Sequence, residues 1–465
     1  MRTPTLLPAL ICIISLSLAL PQAAALPQSS ASRPGRKYSL TERLQPDRLR
    51  AVQQARRLIA ASRKAVSLRT GYNDYKAILH AHAEDAQHTG GTRPELLRAA
   101  KATGISVIML TDHVRPHRDF INDSWRGMRD GVLFIPGAEA EGFLVYPQRS
   151  IKDRKWRSRD EYISMIKEGG GDIFLSHIEE RPDWPTAQLD GMEIYNVHAD
   201  FKGDQFEFAG WLRKIVSDPD RLTAFQKLLA EYPQEIFGAS QDYLSDYIAK
   251  WDRESLAHRV AGVAANDCHH NQVVTVKVAD AGTLELWLTG DKEPSLKVTA
   301  TQSPRLNELT RHRQPGEVIA TLDLDPYERS LSYVSTHILA GQLNEAVIRQ
   351  ALRQGHTFVA HDWLCDATGF AFVAAMPESK PFAVMGDEFR FRPGAVLLLA
   401  APAEGLIRLF RNGVKIAETK GREMRQMIPE PGTYRAEVWL EIDGEERPWI
   451  YASPIRVIPA SRETK

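Results

Sequence analysis

Five short motifs along the chain carry imidazole and carboxylate groups of the kinds that bind metal ions. His80-Ala81-His82 places two imidazoles on one side of a strand end, because side chains at i and i+2 share a face. Such a pair can grip one divalent ion, although H-x-H alone is as often two surface histidines. Leu110-Thr111-Asp112-His113 follows an apolar run, and Pro136-Gly137-Ala138-Glu139 puts a carboxylate after the next one. Leu175-Ser176-His177 is the fourth motif. The fifth is Ala265-Asn266-Asp267-Cys268-His269-His270, in which Asp267 and His269 again share a face. Each has a structural reading when taken singly, as a satisfied core histidine or a helix-capping aspartate. Five in succession, all of ligand residue types, are not explained by packing. A donor set of imidazole nitrogens and carboxylate oxygens suits zinc, manganese or iron and requires no thiolate.

These residues need a scaffold that brings distant parts of the chain together. Short apolar runs predict strands at Ala77-Leu79, Ser106-Leu110, Val132-Ile135, Ile173-Leu175, Met192-Tyr195 and Gly262-Ala265. Helical periodicity predicts helices over Arg93-Thr103, Asp160-Lys167, Leu222-Glu231 and Ser255-Val260, with another from Pro46 to Leu68 and one from Leu343 to Arg353. Strand–helix alternation at this spacing argues for an α/β domain with a mostly parallel sheet, built as a barrel. The motif residues fall just past the C-terminal ends of the strands, where barrel enzymes assemble their sites. Stretches such as Val114-Asp130 and Val197-Leu212 read as specificity loops. After about Pro381 the pattern changes to strands and turns, with Asn412-Gly413 and Asp443-Gly444 as hairpin signals. A small antiparallel β-sandwich without metal chemistry is expected there.

The ordered set H-x-H, T-D-H, P-G-x-E, S-H and D-x-H, from Ile78 to His270, resembles the PHP (polymerase and histidinol phosphatase) superfamily. The resemblance implies a distorted (β/α)7 barrel with two or three metals at the strand ends. It implies that His80, His82, Glu139 and Asp267 hold one ion, that His88, His113 and His269 hold another, and that Glu139 bridges to a further ion on His177. The segments Glu193-Ile194-Tyr195-Asn196, His361 to Phe370 and Arg447 to Ile455 are similar to the carbaryl hydrolase branch. Two departures stand out. The usual Ser-Asp-Gly is replaced by His88-Thr89-Gly90-Gly91, and the usual histidine after the bridging glutamate is missing from Glu141-Gly142-Phe143-Leu144. The ion bridged through Glu139 is therefore expected to be weak, absent, or completed by His198 or Glu141. One or two tightly held ions and a looser third follow. Asp112 is expected to orient ligand histidines, and Asp112, Glu139 and His198 form the catalytic set.

The resulting domain plan is a signal peptide over 1–25, a leader and helix over 26–70, the metallohydrolase domain over 71–375 and the β-sandwich over 380–460. Arg2, the apolar run Leu6 to Leu20 and Pro21-Gln22-Ala23-Ala24-Ala25 have the layout of a cleaved export signal. Export is expected, with no membrane anchor after cleavage. Lys plus Arg and Asp plus Glu each number 59, so no net field draws the chain to nucleic acid. Cys12 leaves with the leader, and a disulfide between Cys268 and Cys365 is not expected. The expected activity is hydrolysis of a small phosphate ester. Carbamate or amide cleavage is the alternative, and a non-catalytic metal-binding module is the third reading.

Overall fold

The computed structural model of the protein describes residues 33–115 and 117–460. The expected signal peptide and the first part of the leader lie outside them. The described chain divides into two compact units. One comprises residues 33–204, 232–270 and 325–460, and the other residues 205–231 and 271–324.

In the larger unit, the strand Asn73–Ala81 runs parallel to Val107–Leu110, which runs parallel to Val132–Ile135. On its other side it pairs antiparallel with Ser335–Ala340. Val107–Leu110 and Val132–Ile135 are buried at every position, which explains why they read as unbroken apolar runs. The helix Arg93–Thr103 lies between the first two strands. Thr92 and Glu95 close a capping box at its start, and Gly104 ends it in the left-handed region at φ 72°.

A second sheet of six strands has the order Ala261–Ala265, Gly191–Asn196, Asp172–Leu175, Phe143–Tyr146, Ala138–Ala140 and Asp112–His113. The chain passes from the first sheet to the second twice, between Leu110 and Asp112 and between Ile135 and Ala138. At the second crossing only glycine fits. A Cβ on Gly137 would lie 2.3 Å from the Tyr146 ring and 2.5 Å from the carbonyl oxygen of Val145.

Among the described residues the sheets form no closed barrel, which corrects the expected (β/α)7 closure, while the mixed α/β class stands. Near the site an isolated parallel bridge between Ala81 and Cys268 links the two sheets. The C-terminal strands also depart from expectation. Val396–Arg411 with Val414–Met427, and Gly432–Ile442 with Glu445–Ile458, form two hairpins that turn at Asn412-Gly413 and Asp443-Gly444 with positive φ at all four residues. Their last strand pairs with Thr357–Ala360, so they continue the 13-stranded sheet that contains Asn73–Ala81 rather than forming a sheet of their own. Trp449 is fully buried, and its indole N–H donates to the Cys365 carbonyl at 2.6 Å.

The helix predicted from Pro46 to Leu68 ends at Ala61, and it turns Leu49 and Val52 inward. The stretch expected as a loop from Val197 is helical over Val197–Lys202 and again over Gln205–Val216. The smaller unit holds a four-stranded antiparallel sheet, Val273–Asp280, Thr283–Trp287, Leu296–Thr299 and Val318–Asp323, that the sequence reading did not anticipate. Cys268 and Cys365 are buried and unpaired. No helix of the described residues is long and apolar enough to cross a membrane.

Candidate metal centre

The five motifs converge. His80 and His82 end the first strand, Glu139 stands on the short strand after Gly137, His177 follows Asp172–Leu175, and Asp267 and His269 follow Ala261–Ala265. His177 and Asp267 both adopt left-handed backbone, at φ 46° and 48°. That conformation is uncommon for residues with a side chain and is concentrated at functional sites.

Glu139 sits at the centre. One of its carboxylate oxygens is 3.0 Å from His177 Nε2, and the other is 3.5 Å from His80 Nε2 and 3.8 Å from both His82 Nε2 and His113 Nε2. Asp267 approaches the same atoms, at 3.4 Å from His80 Nε2, 3.5 Å from His82 Nε2 and 3.7 Å from His177 Nε2. Three overlapping groups have donor atoms all within 4.8 Å of one another: His82, His113 and His269; His80, His177 and Asp267; and His80, His82 and Glu139. His88 stands at the edge of the first group, its ring 4.9 Å from that of His113 and 5.1 Å from that of His269. His198 lies further out, edge-on to His177 at 5.9 Å.

These donors fit a divalent ion by an internal test. The Nε2 atoms of His80 and His269 are buried without a hydrogen-bond partner. Buried polar atoms are ordinarily partnered, and these two belong to the convergent groups. The electrostatics divide the cluster. Burial opposes the charged form of His80, but the carboxylates of Asp267 and Glu139 outweigh it and push its pKa up to about 10. His177 is raised in the same way, with burial overcome by Glu139 and Glu179. His82 is instead lowered to about 3 by burial and by its neighbours His269 and His113, and His88 is lowered to about 4. The half with His82, His88 and His269 is the richer in imidazole, although His113 beside them is raised, because Asp85 outweighs its burial.

Three carboxylates that the sequence does not mark as site residues, Glu193, Asp85 and Glu179, meet the candidate ligand rings. Glu193 Oε1 is 2.9 Å from His80 Nδ1, and its other oxygen accepts from the His177 backbone N–H at 2.8 Å. Asp85 Oδ2 is 3.1 Å from His82 Nδ1 and 2.6 Å from His113 Nδ1. Asp85, and not Asp112, is the carboxylate in contact with His82 and His113. The Asp112 carboxylate is held by Arg93 at 2.7 Å and Arg118 at 2.9 Å. Asp85 and Glu193 have a readable signal, since Asp85 follows His82 by three residues and Glu193 is an acid within an otherwise mostly apolar run.

The missing histidine near Phe143 has a packing reason. Phe143 is buried, with its ring 6.5 Å from Tyr162 and 5.6 Å from Trp184. Glu141 is exposed on the turn before it, and no ligand group includes Glu141 or His198 among the described residues. Glu179 is the acid that meets His177, with Oε1 3.2 Å from Nδ1, and it joins His177 and Glu180 in a further possible ligand group. Tyr247 donates its hydroxyl to the other oxygen of Glu179.

No protein-family model matches the chain, and no curated protein matches it. Among solved structures, the chain is similar to a two-domain protein from Bacteroides vulgatus containing a predicted PHP-like metal-dependent phosphoesterase. The identity is 13%, the TM-score is 0.34, and the match covers 84% of this chain and 98% of that one. None of these comparisons points to the carbaryl hydrolases. The likeness is distant, and the functional reading rests on the site itself.

Proposed function

We propose that the chain is a PHP-type metal-dependent hydrolase acting on small phosphate esters, with His80, His82, His88, His113, Glu139, His177, Asp267 and His269 as its metal ligands. The observation that carries the reading is the convergence of two ligand groups on one carboxylate, with Glu139 between His80 and His177 on one side and His82 and His113 on the other. Zinc, manganese or iron bound there would lower the pKa of a bound water from 15.7 to about 7 and offset charge developing on a phosphoryl oxygen. Adjacent ion positions favour phosphoryl chemistry, because in-line displacement needs both the attacking and the leaving oxygen stabilised. Within the protein, Glu193 and Asp85 fix ligand ring orientation. His198, half-exposed beside His177, is the proposed general acid for the leaving group. We also propose export with cleavage near Ala25, to be checked by mass spectrometry of the mature N-terminus. An intact Met1 on the soluble protein would defeat that.

The test combines metal analysis of dialysed protein with parallel assays on an aryl phosphate and an aryl carbamate. The expected result is bound divalent metal and phosphate turnover that falls on chelation and returns on refilling. Carbamate turnover exceeding phosphate turnover would reassign the substrate class. Bound metal with no turnover of any ester would leave a non-catalytic metal-binding module, and absence of metal would reject the hydrolase reading.

A further inference from the structure

We propose that Asp85 is the positioning residue for the imidazole-rich half of the centre, one carboxylate that sets the tautomer of two ligands at once. This rests on the metal-binding reading above. The Asp85 side chain is fully buried. Its Oδ2 accepts from the backbone N–H of His113 at 2.8 Å and lies 2.6 Å from His113 Nδ1 and 3.1 Å from His82 Nδ1. An ionised carboxylate only accepts hydrogen bonds, so both Nδ1 atoms must carry the proton. Each neutral ring then keeps its lone pair on Nε2, the atom that faces Glu139 at 3.8 Å in both residues. The rings are stacked as well as aligned, with His82 4.4 Å from His113 and 3.9 Å from His269 between ring centres.

The local chain is built to return Asp85 to this place. Glu84 adopts left-handed backbone at φ 57°, and its N–H donates to the Gly91 carbonyl at 3.1 Å, folding the segment after His82 back on itself. Tyr327 donates its hydroxyl to the His82 carbonyl, and a Cβ on Gly91 would lie 2.2 Å from the Tyr327 ring, so this turn admits only glycine there. The other half of the centre is served by different acids: Glu193 meets His80 and Glu179 meets His177. The groups His82–His113–His269 and His80–His177–Asp267 share no residue, and these are the two sites that the orienting carboxylates separate.

Asp85→Asn keeps the size, and its amide oxygen must still accept from the His113 backbone N–H, but it lacks the charge that strengthens the two Nδ1–H bonds and fixes the rings. The test titrates zinc into the metal-free full-length chain, as wild type, Asp85→Asn and Glu193→Gln. For Asp85→Asn, one site should weaken about 10- to 100-fold, the usual consequence of losing such a partner, while the other keeps its affinity. Glu193→Gln should weaken the complementary site. A second measurement needs no folded variant at position 85. Nitrogen-15 NMR of the metal-free wild type should find His82 and His113 as Nδ1–H tautomers, each assigned by its own His→Gln variant. A wild-type-like zinc titration for Asp85→Asn, equal weakening of both sites, or an Nε2–H tautomer at either histidine would overturn the proposal. If the wild type binds no zinc, the hydrolase reading fails, and the tautomers alone decide the role of Asp85.

Discussion

The strand Asn73–Ala81 has a buried histidine–carboxylate cluster at each end, and the two clusters behave differently. At its C-terminal end His80 meets Glu139, Asp267 and Glu193, yet its Nε2 has no hydrogen-bond partner. Near its N-terminal end, His337 on the neighbouring strand is satisfied on both sides, by Asp74 at 2.7 Å and Asp362 at 3.2 Å. Asp362 also accepts from Ser335 at 2.6 Å and from the Ala367 N–H at 2.9 Å, and Lys76 pairs with Asp366 at 2.9 Å. The residue types are the same, and what separates a structural network from a ligand site is whether the donors and acceptors close on themselves. His361 sharpens the point. Both its nitrogens lack partners, but its ring neighbours are Tyr195, Tyr333 and Tyr451, so no second ligand type converges on it. An orphaned imidazole marks a metal site only in company.

Substitutions at the two ends of the strand should have opposite effects. His80→Ala or Asp267→Ala is expected to abolish metal retention and reduce ester hydrolysis by more than about 100-fold, beyond what losing an orienting partner causes. Metal content, turnover and circular dichroism together check it, and either variant keeping full metal and turnover would remove that residue from the site. His337→Ala should leave metal content unchanged and cost about 3 kcal/mol of stability, because it strands the buried acids Asp74 and Asp362.

The pH dependence sharpens the contrast. Burial works against a charged His337, but Asp74 and Asp362 prevail and raise its pKa to about 9, against about 6.5 in an unfolded chain. A group raised on folding stabilises in its protonated form. Its contribution is full below about pH 6.5 and is lost as pH rises through about 9. Urea unfolding of wild type and His337→Ala should therefore show a gap at about pH 6 that narrows by about pH 10. A gap constant across that range would mean that His337 is not the titrating group. The smallest effect concerns ion count. With Phe143 packed into the core where the usual histidine of the resemblance is missing, dialysed protein should retain one or two ions and take up another only in excess metal. Three ions surviving dialysis would contradict this.

The ligand motifs were legible because each lies at the end of a short apolar run, and such ends project polar groups together whatever the closure of the sheet. Closure itself was not legible. It depends on strand tilt and register summed over many pairings, and here the chain leaves one sheet for another after Leu110 and Ile135. The C-terminal strands were visible through their hairpin turns, but the pairing of Glu445–Ile458 with Thr357–Ala360 joins residues almost a hundred apart and has no local signature. The inserted sheet did leave one. Val274, Val276 and Val278 alternate with more exposed residues, the period of a half-buried strand.

The left-handed backbone at His177 and Asp267 sets the chain's evolvability against the proposed activity. Glycine occupies that region at no steric cost, whereas histidine and aspartate only tolerate it. A selection blind to catalysis, such as survival of heat challenge, should therefore enrich glycine at 177 and 267. Lineages that gain robustness there would lose two of the groups around Glu139.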